Sequence, residues 1–361
     1  MYRHWEKGWG IALPRRVRDS LPAGRYDVTI ETEFTDEPMQ LLEYRAAGRS
    51  DLEVQLAGHL DHPGQANDSL SGVVASLCVA REFEHQHPDA RYSLSVLAVP
   101  EIVGTSVYLH QEEETRRRIR YALCPNMLGH AAPIAICTSR SGDSQLDRAL
   151  QLAAMTRGAE HVVGEWHKYP DCGDEISYDA PGYDIPASTV SRIGELYPFY
   201  HSSHDTPETI DPNRFEEALM TMADALSMLE RNALPVAGFT GLPALANPAL
   251  DLYLEPSNMN NALNPASDGS LTDIRSGKPL DARLFQEFFL ANIRGNATLV
   301  DIAYEFGAPF AFVESYANAF GEKKLARLQR PINDANYVRD TVKTARARSG
   351  QIDFETGAAS P

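Results

Sequence analysis

Apolar and polar residues alternate over residues 51–56 and again over 92–99, which predicts two buried strands. Between them, residues 73–86 carry apolar side chains at helical spacing. The same change of period recurs along the chain. Strands are predicted at 121–123, 132–138, 161–166 and 185–190, and helices at 105–118, 144–156 and 215–232. The last helix places Phe215, Leu219, Met222, Leu226 and Leu229 on one face. Such alternation predicts an α/β fold: a mostly parallel mixed sheet with helices on both faces. Shorter alternating runs at 9–13, 26–33 and 39–45 predict a small β meander leading into it. After residue 235 the pattern dissolves into a stretch rich in Pro, Asn, Ser, Asp and Gly, then resumes as helices at 281–293, 299–307 and 309–325 and a short basic strand at 326–328. Three helices and a hairpin would make a winged-helix arrangement. The expected parts are therefore 1–48 (lead-in strands), 49–235 (α/β domain), 236–280 (linker or strap), 281–332 (winged-helix-like domain) and 333–361 (a mobile polar tail).

Composition narrows the class. The 361 residues are 43% hydrophobic and 23% charged, and the net charge is −17. That charge argues against a nucleic-acid surface, and residues 309–320 hold no basic residue where a recognition helix would lie. The winged helix is therefore expected to serve packing or homo-oligomer formation. No apolar run approaches the ~20 residues of a membrane span, and the first residues lack the apolar core of a signal peptide. A cytoplasmic protein with no membrane partner is expected. The four cysteines, Cys78, Cys124, Cys137 and Cys172, show no metal or redox spacing and read as reduced thiols.

The chemistry concentrates in the loop between the strand at 51–56 and the helix at 73–86. It contains His59, Asp61, His62, Asn67 and Asp68. Open α/β sheets place ligands at the carboxyl ends of strands, and His with Asp is a donor set for a zinc-type cation. Asp68 also gains from the helix N-terminus that follows. Three other pieces fall at strand ends or adjoining loops: Glu101 in Pro100-Glu101-Ile102-Val103-Gly104, the loop Asn126-Met127-Leu128-Gly129-His130, and Tyr200-His201-Ser202-Ser203-His204-Asp205-Thr206.

The order His-x-Asp, Asn-Asp-x-x-Ser-Gly, Glu before Gly-x-Ser, and a late Tyr-His-x-x-x-Asp-Thr resembles the di-zinc aminopeptidase superfamily, which also holds glutaminyl cyclases. The chain is more similar to a bacterial branch of aminopeptidase-like proteins with a small β lid and a C-terminal winged helix. That resemblance rests on His62-Pro63-Gly64-Gln65-Ala66-Asn67-Asp68-Ser69-Leu70-Ser71-Gly72, Pro100-Glu101, Cys172-Gly173-Asp174-Glu175 and Tyr200-His201-Ser202-Ser203-His204-Asp205. It implies a zinc-aminopeptidase-like fold with a shortened lid over residues 1–48. It also implies hydrolysis of an amide bond in a small peptide or related substrate.

Carried over by position, the resemblance implies Asp68 as the bridging or single-metal carboxylate, His201 as the late ligand, and Glu101 as base or ligand. The early ligand is His59, with Asp61 orienting it, or His62. Asn126 stands where the secreted enzymes have an aspartate, so His130 either replaces a carboxylate or leaves the second metal position weak. One Zn²⁺ is expected to be held firmly and a second weakly or not at all. Asp174 or Glu175 could be the base or bind a substrate amine. Tyr200 could donate to a tetrahedral oxyanion, and Arg192 could hold a substrate carboxylate. A single-zinc acyl transferase or cyclase, and a binding protein with a degenerate site, are the alternatives.

Overall fold

The computed structural model describes residues 8–33, 35–62, 64–167, 173–254 and 271–330. The chain divides into two compact units, residues 1–39 and 40–361. In the first unit one short helix forms, α1 (Arg15–Ser20), and every described residue is exposed. The strands predicted at 9–13 and 26–33 do not form. Trp9, Ile11 and Leu13, and likewise Tyr26, Val28 and Ile30, alternate as strand residues would, yet all six stay exposed. Alternation marks an amphipathic extended segment; a strand also needs a neighbour for its N–H and C=O groups. No β lid is present among the described residues.

The second unit is built on a seven-stranded sheet. Its elements follow in the order β1 (Leu42–Ala46), β2 (Glu53–His59), α2 (Leu70–Gln86), β3 (Ser93–Val99), α3 (Val103–Gln111), α4 (Glu113–Arg118), β4 (Ile119–Pro125), β5 (Ile134–Cys137), α5 (Gln145–Arg157), β6 (His161–Gly164), α6 (Glu175–Tyr178), β7 (Ala187–Arg192) and α7 (Pro212–Arg231). The spatial order is β1-β3-β2-β4-β7-β5-β6. Strands β3, β2, β4 and β7 run parallel, β1 and β5 oppose their neighbours β3 and β7, and β6 follows β5. Every residue of β2 and β3 is buried, as expected of strands covered on both faces. Val54, Leu56, Leu94 and Val96 join one core cluster with Ala75 and Val79 of α2 and Leu226 of α7. Ala57, Leu97 and Val99 point the other way, onto Tyr108 and Leu109 of α3 and Tyr178 of α6. The single helix predicted at 105–118 is two helices that break at Glu112. The cap of α5 is Ser144, which forms a reciprocal capping box with Asp147.

The remaining elements are β8 (Leu234–Ala237), α8 (Ala282–Asn292), α9 (Leu299–Phe306), α10 (Phe310–Glu322) and β9 (Ala326–Gln329). The three helices of a winged helix are in order, but a following hairpin is absent among the described residues. Instead β9 pairs antiparallel with β8, just after α7. Phe285, Phe289, Val313 and Tyr316 also share the α2–α5–α7 core cluster, so these helices extend that core. The tail expected at 333–361 lies outside the described residues. Among those described, no helix is long and apolar enough to cross a membrane.

Candidate metal centre

His59 is the last residue of β2, and register places it opposite Val99 of the parallel neighbour β3. Glu101 therefore emerges two residues further along the adjacent strand's path. Asp68 precedes α2, and the Asn-Asp-x-x-Ser-Gly motif explains how it is held. Asn67 Oδ1 accepts from Gly129 N–H at 2.8 Å, and Ser71 Oγ donates to Asn67 C=O at 2.6 Å while accepting from Leu128 N–H at 3.1 Å. Gly72 completes the contact: a Cβ there would lie 2.0 Å from Pro125 O. The motif thus clamps the start of α2 to the end of β4, and Asp68 is carried into place by that clamp.

Three imidazoles surround the Asp68 carboxylate. Oδ1 lies 3.2 Å from His59 Nε2 and 3.7 Å from His62 Nε2, and Oδ2 lies 3.3 Å from His201 Nε2. Two donor groups result, His62–Asp68–His201 and His59–His62–Glu101, each with its ligand atoms within 4.8 Å of one another. Four ligands at roughly 2.0–2.2 Å in a tetrahedron sit about 3.3–3.6 Å apart, which matches these spacings. Asp68 is 1% exposed, and its Oδ2 is buried without a hydrogen bond among the described residues. Facing His201 Nε2 at 3.3 Å without a hydrogen bond, that oxygen has the spacing of two ligands of one cation. The donor set therefore fits a zinc-type ion. Asp68 and His201 are not grouped with Glu101, which falls on the His59 side. Both early histidines are in the cluster, and His62 belongs to both groups.

Burial lowers the pKa of His59, but its facing carboxylates, Asp174 and Asp68, with the charge of Glu101, outweigh this and raise it to about 10. Burial raises the pKa of Glu101, and the nearby Asp174, Asp68 and Asp61 add to that rise against the opposing His59. A cation that takes the His59–His62–Glu101 group must displace the His59 proton, so affinity at that second position is expected to rise by up to about tenfold per pH unit between about pH 7 and 9, measured by competition with a chromophoric chelator. In the metal-free protein the same shift, from 6.5 to about 10, stabilises the fold below about pH 6.5 and is lost as pH rises through about 10.

Several residues singled out in the sequence stand elsewhere. Asp61 is exposed; the carboxylate facing His59 Nδ1, at 3.7 Å, is Asp174. Asp174 is 3% exposed and accepts from Ile102 N–H at 2.8 Å and from the Thr105 hydroxyl, so it ties the Glu101 turn to His59. Glu175, 1% exposed, accepts from Gly173 N–H at 2.6 Å and meets His167 Nδ1 at 2.9 Å. Gly173 comes close to Glu101, since a Cβ would sit 3.0 Å from Glu101 Oε1. Tyr200 stacks on His201 with ring centroids 3.9 Å apart and stays half exposed. Arg192 is wholly buried and donates to the carbonyls of Leu128, Ala132 and Arg214 and to Glu217, so its guanidinium is not presented to a substrate. His130 is buried too. Its Nδ1 meets Asn67 Nδ2 at 3.3 Å and its Nε2 meets Ile193 C=O at 3.1 Å, which occupies both nitrogens away from the donor groups. Replacing His130 with Ala is expected to leave metal stoichiometry unchanged while lowering stability by about 1–3 kcal/mol, measured by metal analysis and urea denaturation. The sequence did not mark Asp174 as the partner of His59, because Thr105, Ile102 and His59 are all distant from it along the chain.

The sheet is a mostly parallel α/β sheet that carries this cluster at the carboxyl ends of its strands. The family described as "Domain of unknown function (DUF4910)" matches residues 15–232, more than half of the chain, and the chain belongs to that family. A curated Clostridium acetobutylicum protein, provisionally named a polysaccharide biosynthesis protein with aminopeptidase-like domain, is 24% identical over 326 residues, covering 90% of this chain and 70% of that one. A crystal structure from the same organism, provisionally described as a peptidase, superposes with a TM-score of 0.60 at 22% identity. That superposition covers 80% of this chain and spans 60% of the length of the other. A zinc aminopeptidase from Bacillus subtilis superposes less fully: TM-score 0.42, 19% identity, 48% of this chain and 45% of that one.

Proposed function

We propose that the protein is a metal-dependent hydrolase of amide bonds, with one zinc-type ion held at Asp68 and a small peptide or related amide as substrate. The observation that carries this reading is the Asp68 carboxylate set among three imidazoles at the carboxyl ends of parallel strands, with one buried oxygen unsatisfied. A single ion is favoured because the two donor groups share His62, and because Asn126 brings no charge. When bound, zinc would supply Lewis acidity toward the carbonyl and a lower pKa for water. In this reading Glu101, in the neighbouring donor group, takes the proton of the attacking water and returns it to the departing amine, and its raised pKa suits that exchange. Asp174 orients His59 and fixes the Glu101 turn. Tyr200, half exposed on the face of His201, is available to donate to the oxyanion.

A single-zinc acyl transferase or cyclase on the same fold is the second reading, supported by the neutral Asn126. The test is turnover of a panel of amino-acid amides, dipeptides and N-terminal glutaminyl peptides, with metal content measured and a chelator control. Chelator-sensitive release of amine supports hydrolysis. Ring closure of glutaminyl peptides supports the second reading. A zinc-loaded protein inert on the whole panel would leave a binding role.

A further inference from the structure

We propose that Asp205 is a positioning residue, whose buried carboxylate holds the backbone of Asp68 against the turn carrying His201 and so sets the spacing of those two donors. This rests on the reading of the cluster as a metal site. Asp205 has no exposed surface. Its Oδ1 accepts from Asn67 N–H at 2.8 Å and from the Tyr197 hydroxyl at 2.8 Å, and its Oδ2 accepts from Asp68 N–H at 3.0 Å. Its own carbonyl accepts from Ala66 N–H at 3.2 Å, so side chain and backbone together hold three consecutive residues of the 66–68 loop. Asp205 closes the turn that starts beyond His201: its N–H donates to Ser202 C=O at 3.1 Å, and His201 itself is left-handed at φ 51°.

A single carboxylate thereby joins two segments more than 130 residues apart in sequence, each bearing one donor to the same site. Only a carboxylate of this length offers acceptors to both N–H groups and the hydroxyl. In an Asp205→Asn variant the NH₂ would face one of the two backbone N–H groups, donor against donor.

The experiment compares the full-length protein with its Asp205→Asn and Tyr197→Phe variants. Hydrogen exchange of the metal-free proteins is read by mass spectrometry, and zinc affinity by chelator competition. For Asp205→Asn, exchange in peptides spanning 66–70 is expected to accelerate about tenfold or more while β2 and β3 peptides stay protected, and zinc affinity to fall about tenfold or more. Tyr197→Phe keeps both amide contacts, and its zinc affinity is expected to stay within about threefold of the parent. Unchanged local exchange and affinity in Asp205→Asn would overturn the proposal. So would acceleration spread evenly over the sheet, which would mark a purely structural role. A parent protein that binds no zinc would sink the metal reading, while local acceleration at 66–70 would still support the hold on Asp68.

Discussion

Asp68→Ala is expected to abolish zinc binding and to remove chelator-sensitive amide turnover, with affinity falling by about a thousandfold or more, or roughly 4 kcal/mol. Among the described residues Asp68 is the one side chain that faces all three imidazoles. Its loss takes away the negative charge between them and leaves the imidazoles with one off-side donor carboxylate, Glu101. Thermal stability gives a second reading of the same event. Zinc at about a hundred times its dissociation constant should stabilise the parent by about 2.7 kcal/mol, and the variant by nothing measurable. Asp68→Asn should fall between the two, because it keeps the shape and loses the charge. Retained zinc in Asp68→Ala, with the melting shift intact, would place the ion elsewhere.

Arg192→Ala is expected to be the most damaging change to stability outside the site, at about 3–5 kcal/mol in urea denaturation. The side chain is wholly buried and serves three backbone carbonyls and Glu217. Its removal takes the Arg192 donors away from the carbonyls of Leu128 and Ala132 in a fully buried place, while the Arg214 carbonyl keeps its helical bond. Glu217 is partly exposed and can be resolvated. Lys at the same position should recover part of the loss, since one ammonium cannot reach all four acceptors. The folded fraction should keep its KM, which separates this role from substrate binding. A loss below about 1 kcal/mol with a raised KM would restore Arg192 to the substrate site.

The sheet was legible because its strands are buried on both faces and its helices carry clear apolar stripes. Residues 51–56 and 92–99 pair in register as β2 and β3, and α7 shows the face of Phe215, Leu219, Met222, Leu226 and Leu229 that the pattern predicts. The cluster was legible because its donors lie in short motifs at strand ends. What was not legible depends on partners far along the chain. Tyr26, Val28 and Ile30 alternate without a neighbouring strand, so the pattern alone could not distinguish a lid strand from an exposed segment. The basic run at 326–328 reads as half of a hairpin, but its partner is β8, about 90 residues earlier. Strand β8 itself was hidden by Pro235 within it, which sits in a two-stranded ribbon. The roles of Asp174, Arg192 and His130 turn on burial: each has the chemistry of a catalytic or binding group, and each spends its polar atoms on the scaffold around the donors.

The most direct measurement is a crystal structure of the zinc-incubated protein with anomalous data collected on both sides of the zinc absorption edge. One strong peak is expected between Asp68, His62 and His201, roughly 2.0–2.2 Å from their donor atoms, and vanishing below the edge. A second peak beside His59 and Glu101 should be weak or absent. No edge-dependent peak at Asp68, or two peaks of equal height with His130 among the ligands, would contradict the account.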